Sequence, residues 1–192
     1  METKQTNRLP GDICPCTPWT ATMLDNVFRT IFQNPRKIVG DYVRQGMTVM
    51  DIGCGPGFFT LAMAKMVGPG GMVIAIDVQK EMLDLVKKKS EKLNLVRCIW
   101  FHQGKPDAIG IQKNADFILS FYMVHEVPDR DAFFREVAGL LNQGGRYLIV
   151  EPIFHVSEKA FNDTIDHARI AGFSVEKQPK VLLSRAALLV KE

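Results

Sequence analysis

The sequence predicts an α/β fold built on a doubly wound, mostly parallel sheet. Three observations predict it. Strand-like and helix-like stretches alternate through most of the chain, so crossover helices can join parallel strands. The early strand-like stretches are unbroken apolar runs, as expected when both faces of a sheet are covered. The last two have no helix between them, so at least one strand must run antiparallel to the rest.

In order, residues 1–18 carry three prolines and little periodicity and read as an extended arm. Apolar residues then recur at helical spacing from Trp19 to Phe32 (Met23, Leu24, Val27, Phe28, Ile31), and a short helix is expected from Pro35 to Arg44. MTVMDIG reads as a first strand and FFTLAMAKMVG as a helix closed by Gly68. After the GPGG turn, MVIAID reads as a second strand. VQKEMLDLVKKKSEKLN follows as a helix with its acids early and its lysines late, which suits the helix dipole. RCIWFH and ADFILSF read as the third and fourth strands. DRDAFFREVAGLL reads as a helix capped by an aspartate, NQGG as a turn and RYLIVEP as a fifth strand. SEKAFNDTIDHARIAG reads as a helix opened by Ser157 and closed by Gly172, and FSVEKQPKV and SRAALLVKE as the final pair of strands. Two units follow: an arm with a lid helix over 1–34, and a ligand-binding domain over 35–192.

The chain has 192 residues, 46% apolar and 23% charged, with a formal net charge of +3. That is ordinary for a soluble globular domain. Lys87-Lys88-Lys89 lies among helix formers and reads as a solvated face, so no basic footprint for nucleic acid is expected. No apolar run reaches the roughly eighteen residues that span a bilayer. The polar start METKQTNRLPGD lacks the apolar core of a signal peptide, which makes the cytoplasm the expected location. Cys14, Cys16, Cys54 and Cys98 are too scattered for a disulfide framework.

The chemistry concentrates in VMDIGCGPGFF, where Gly53, Gly55 and Gly57 alternate after a strand. In doubly wound folds ligands bind beyond the carboxyl ends of the strands. The dinucleotide pattern G-x-G-x-x-G fails here. From Gly53 its third glycine falls on Phe58, and from Gly55 on Thr60. Asp77, about twenty residues on, ends the second strand where an acid takes both hydroxyls of a ribose and repels a 2′-phosphate. Each residue also has a plainer reading: the glycines allow close helix packing and Asp77 caps the next helix.

VMDIGCGPGFF, AIDVQKEML, ADFILSFYMVHEVPD and LLNQGGRYLIVEP, in that order, resemble the successive motifs of class I S-adenosylmethionine-dependent methyltransferases. The nearest group is the small enzymes similar to the ubiquinone/menaquinone-biosynthesis methyltransferases. The resemblance covers roughly residues 36–190. It implies a Rossmann-like seven-stranded sheet with an antiparallel last strand. It also implies S-adenosylmethionine as cofactor, S-adenosylhomocysteine as its product, and a small-molecule acceptor. Residue by residue, it places Gly53, Gly55 and Gly57 against the methionine part. Asp51 would hold the loop and the amino group, and Asp77 the ribose. Val78 would lie beside the adenine, and Phe121 would line the methionine side. Many members carry Gly-Asp-Ala after the third strand; here the stretch is FHQGKPDAI, with Lys105 in place of the Asp, and Asp107 or Gln103 as substitutes for the adenine contact.

Methyl transfer from a sulfonium needs positioning, and a base only where the acceptor keeps a proton. His125, after the fourth strand, and Glu151, in VEP at the end of the fifth, are the candidate catalytic groups. Glu126 reads as a helix-start or surface acid. Cys14-Pro-Cys16 is C-x-C rather than a zinc-type C-x-x-C, so no metal site is expected. Two such thiols, with Cys54 or Cys98 as a third, would suit a soft thiol-bound acceptor; incidental thiols are the plainer reading. Trp19, Met23, Phe28 and Phe32 form either a lid or a packed helix. A homodimer stays open. The rival readings are a cofactor-binding module without activity and a nicotinamide-dependent oxidoreductase.

Overall fold

The structure, a computed structural model, describes residues 33–191. The stretches expected to form the arm and most of the lid helix, with Cys14, Cys16, Trp19, Met23, Phe28 and Phe32, lie outside the described residues. The chain runs α1 (Pro35–Val39), β1 (Thr48–Ile52), α2 (Phe58–Val67), β2 (Met72–Asp77), α3 (Lys80–Lys92), β3 (Ile99–Gln103) and β4 (Ala115–Phe121). It continues with α4 (Arg130–Leu140), β5 (Leu141–Pro152), α5 (Glu158–Ile170), β6 (Phe173–Lys177) and β7 (Ser184–Lys191). The seven strands form one sheet in the order β3-β2-β1-β4-β5-β7-β6. β7 pairs antiparallel with both β5 and β6, and the pairs from β3 to β5 are parallel. The predicted fold class is the one observed.

The apolar runs make this sheet because alternate residues of each strand serve opposite faces. Met50, Ile52, Ile74, Ile76 and Ile118 pack with Phe133, Phe134 and Val137 of α4 and Phe161 and Ile165 of α5. Val49, Val73, Ala75, Phe117 and Leu119 pack with Phe59, Met63 and Ala64 of α2 and Leu83 and Val86 of α3. The caps fit the sequence: the Asp129 side chain accepts from Ala132 N at 2.9 Å, Ser157 Oγ from Ala160 N at 3.2 Å, and Gly68 closes α2 at φ 66°.

Several boundaries differ from expectation. β6 ends at Lys177 rather than Val181. α1 ends at Val39 rather than Arg44, where Gly40 opens into turns held by Arg44 Nη1 on Gly40 O at 2.6 Å. β3 starts at Ile99, after a 3₁₀ turn over Val96–Cys98. NQGG, read as a turn, is a loop-out within β5. Ala115 pairs with Leu141 and Phe117 with Arg146, so residues 142–145 bulge away, with Gly144 at φ 75°. Asn142 Nδ2 ties this bulge to Asp116 Oδ1 at 2.7 Å.

The order of strands reverses between β1 and β4, and a glycine turn crosses that switch point. Its last glycine, Gly57, stands at φ 88°, and a Cβ there would meet Val86 Cγ1 and Cγ2 at 2.9 Å. Left-handed backbone costs an L-residue about 1–2 kcal/mol, and overpacking about 1–3 more. Gly57→Ala is therefore expected to lower unfolding free energy by about 2–5 kcal/mol in urea denaturation. Val86→Ala in the same chain should recover the crowding part.

Candidate functional site

The carboxyl ends of β1, β2 and β4 open into a cavity of about 260 Å³. Its wall on the β1 side is the glycine turn. Gly53 N and Cys54 N donate to Ile76 O at 2.8 and 2.9 Å, which lays the turn across the end of β2. Asp77 then ties the two loops together. Its Oδ2 accepts from Gly55 N at 2.8 Å and its Oδ1 from Gln79 N at 2.9 Å. Burial raises the Asp77 carboxyl above its ordinary range, against the pull of these amides. Asp51, buried in β1, accepts from Thr60 Oγ1 in the first turn of α2 at 2.5 Å.

The three glycines do different work. A Cβ on Gly53, at φ 72°, would meet Met123 Cγ at 2.8 Å, and Gly57 is filled by Val86. Gly55, at φ 50°, has nothing within 4 Å of that position and opens onto the cavity. The spaces left by Gly53 and Gly57 thus belong to the protein's own side chains. Between them Cys54 is buried, and its thiol is pushed well above the usual range by burial and by the Asp51 and Asp77 charges.

Of the residues read from sequence, Asp51, Gly53, Gly55, Asp77, Val78 and Phe121 line the cavity. Gly57 does not. Gln103 does not either; its Nε2 donates to Val78 O at 3.1 Å. Lys105 and Asp107 do line it. Cys98 precedes β3 at the amino edge of the sheet, opposite the cavity, so it cannot share a ligand with Cys54.

His125 and Glu151 are brought together across adjacent strands. Their geometry is a 2.6 Å contact from His125 Nδ1 to Glu151 Oε2, backed by His125 N on Oε1 at 3.2 Å. Against a carboxylate Nδ1 carries the proton, which leaves Nε2 as the basic nitrogen. Neither residue is part of the cavity lining, which between Met123 and Val127 is formed by Glu126. Glu151 is 1% exposed, and its hydrogen bond holds the His125 imidazole above its usual range despite some burial.

Sequence reasoning missed three contributors. Tyr122 takes a left-handed backbone at φ 63°, stacks on Phe121 with centroids 4.2 Å apart, and joins Gln33 Nε2 at 2.7 Å to Ser184 Oγ at 2.6 Å. Glu136 of α4 accepts from Ile109 N at 2.8 Å and Gly110 N at 2.6 Å, fixing the loop after β3. Glu126, read as a helix-start or surface acid, is exposed and also lines the cavity. No local pattern marks the first two, since each acts on residues distant in sequence. On the same rim, Ile153, Phe154, Leu182 and Leu183 form an exposed apolar edge, with Ile153 N bonded to Leu183 O at 3.2 Å.

With the sheet order, the switch-point cavity and the acid at the end of β2 in place, comparison with known proteins gives the class. Residues 44–180 match the methyltransferase domain family, and the chain belongs to it. The demethylmenaquinone methyltransferase of Lactobacillus johnsonii is 36% identical over 112 residues, 57% of this chain and 45% of that protein. The ubiquinone/menaquinone biosynthesis C-methyltransferase UbiE of Pasteurella multocida is 32% identical over 124 residues, 62% of this chain and 46% of that protein. The chain thus matches less than half the length of these curated relatives. A SAM-dependent methyltransferase from Aquifex aeolicus superposes with a TM-score of 0.80 at 26% identity, over 90% of this chain and 97% of that one. Among the described residues no helix is long and apolar enough to cross a membrane, and no group of three or more His, Cys, Asp or Glu side chains is placed to hold a metal ion.

Two outcomes are expected. The raised folded value of His125 means that its contribution to stability is fully present below its unfolded value of about 6.5 and is lost as pH rises through the folded value. Unfolding free energy measured across that window should fall with rising pH in the wild-type chain, and Glu151→Gln should flatten the slope. Gly55→Ala should cost only about 1–2 kcal/mol of stability, from backbone strain alone, yet narrow the cavity. Ligand titration beside denaturation separates the two effects.

Proposed function

We propose that the chain transfers a methyl group from S-adenosylmethionine to a small apolar acceptor. The observation that carries this reading is the pairing of Gly55, open to the cavity, with the Asp77 carboxylate at the end of β2. The residues present fit that cofactor. Each Asp77 oxygen keeps a second lone pair for a ribose hydroxyl. Half-exposed Val78 offers an apolar face for a purine. α2 begins at Gly57 without a side-chain cap, so its first N–H groups favour a carboxylate, and Asp51 nearby favours an ammonium. Phe121, tilted on Phe59 with centroids 4.4 Å apart, walls the methionine side. Lys105 and Asp107 line the cavity, and Asp107 would offer an acceptor to a purine amino group, while Gln103 Nε2 is bonded to Val78 O.

The cofactor, when bound, would supply an electrophilic methyl group on a sulfonium, with a neutral thioether as leaving group. The chain's own work is to orient the acceptor, exclude water and take a proton. The His125–Glu151 pair supports the last role: Glu151 fixes the imidazole and stabilises its protonated form. The exposed edge of Ile153, Phe154, Leu182 and Leu183 supports an apolar acceptor. The named relatives act in menaquinone and ubiquinone biosynthesis, which favours a quinol-type ring. The dinucleotide alternative is disfavoured because Thr60, one position needing a third glycine, is buried and bonded to Asp51.

Calorimetric titration with S-adenosylmethionine, S-adenosylhomocysteine and NAD tests the cofactor. Binding of the first two, none of NAD, and at least a tenfold loss in Asp77→Asn are expected, since bonds to a charged group contribute about 1.5–3 kcal/mol each. Binding of NAD alone, or of nothing, overturns the reading. Methylation of a short-chain prenylated 1,4-naphthoquinol, followed by mass spectrometry, tests the acceptor class.

A further inference from the structure

Six carboxylates line the cavity: Asp51, Asp77, Asp107, Glu126, Asp129 and Glu136. Four are occupied in holding the fold. Asp51 accepts from Thr60, Asp77 from Gly55 and Gln79, Asp129 from Ala132, and Glu136 from Ile109 and Gly110. Asp107 sits in the exposed loop after β3. Glu126 differs from all of these. It closes the 3₁₀ turn Val124–Glu126, and its Oε1 faces His125 Nε2 at 3.9 Å. The other nitrogen of that ring is held by the buried Glu151. The imidazole therefore stands between one carboxylate that faces the cavity and one that is sealed in the sheet.

We propose that Glu126 is the group that receives the acceptor's proton during methyl transfer, and that the His125–Glu151 pair is the sink to which it passes that proton. This rests on the methyl-transfer reading above. It explains how a histidine outside the cavity lining serves a reaction inside it. As the acceptor's nucleophilic atom bonds to the methyl carbon, the carbon–sulfur bond breaks and its electron pair stays on sulfur. The proton that the acceptor loses goes to a Glu126 oxygen and from there, through one water bridging the 3.9 Å gap, to His125 Nε2. The charge formed on the ring lies 2.6 Å from the Glu151 carboxylate. No electrons change hands and no further reactant is needed.

The electrostatic setting agrees. Partial burial, with the Glu151 and Asp77 charges, raises the Glu126 carboxyl above its ordinary range, while His125 and His155 oppose this. That brings its basicity closer to what proton transfer near neutrality requires. Arg130 is the cation that faces His125 from α4 and opposes the effect of Glu151 and Glu126 on the ring. The exposed position of Glu126, with half its side chain in solvent, lets the proton reach bulk water after turnover.

The test uses the full chain with S-adenosylmethionine bound and follows the His125 ring protons by NMR from pH 5 to 9 (a range of about four units around the free imidazole value). Glu126→Gln keeps the shape and removes the charge. It is expected to lower the His125 midpoint by at least about half a pH unit, the scale of one charge near 4 Å in water-like surroundings. Glu151→Gln should lower it too, and Lys88→Gln, on the far side of α3, should leave it unchanged. With the prenylated 1,4-naphthoquinol, Glu126→Gln should reduce kcat about a hundredfold, leave KM for S-adenosylmethionine within threefold and remove the acidic limb of the kcat profile. An unmoved His125 midpoint, or wild-type turnover in Glu126→Gln, overturns the proposal. Failure of the wild-type chain to bind S-adenosylmethionine overturns the methyl-transfer reading itself. Binding without turnover of the naphthoquinol counts against that acceptor class, and the midpoint then decides on Glu126.

Discussion

The site depends on one buried carboxylate. Asp77 ends β2 at the sheet's carboxyl edge and accepts an amide from each of two loops, Gly55 from the turn after β1 and Gln79 from the turn before α3. Its charge is taken from water, which is costly unless the oxygens are bonded, and two backbone N–H groups meet that need. In return those N–H groups are fixed in space. The wall of the cavity, the start of α3 and the aim of Gly55 all follow from the same side chain.

Around that staple the glycine turn divides its labour. Two glycines let neighbouring elements close in, Met123 against Gly53 and Val86 against Gly57, and one keeps the cavity open at Gly55. A single row of alternating glycines thus serves helix packing and ligand access together. Proton chemistry, in the reading proposed here, is moved to the adjacent edge, where β4 and β5 end and an imidazole is braced from within the sheet. Separating the two regions keeps Asp77 committed to backbone amides, while Glu126 beyond β4 faces the imidazole.

The sheet was readable in the sequence because its strands are covered on both faces, which makes them unbroken apolar runs such as MVIAID and ADFILSF. The cavity wall was readable because several residues that line it follow directly on strand ends. What could not be read were pairings over distance. Nothing near Glu136 announces that it will reach Ile109 and Gly110, and nothing near Tyr122 announces Ser184. At Gly57 spacing left both readings open, ligand approach or close helix packing, and only the fold shows Val86 against it. The direction of Glu126 was hidden because a 3₁₀ turn sends successive side chains about 120° apart, so His125 and Glu126 serve different surfaces.

The loop-out at residues 142–145 has a consequence for how this chain can vary in length. The β4–β5 register beyond it is set by five consecutive pairs from Phe117↔Arg146 to Phe121↔Val150, and locked by Tyr147 OH on Ser120 Oγ at 2.9 Å. Glu151 therefore meets His125 by counting from the locked segment, not from the end of α4. Residues gained or lost in the bulge are absorbed there, as slack in a rope is taken up before a cleat. That makes the bulge the place to lengthen the chain or insert a reporter sequence while the carboxylate and imidazole keep their spacing.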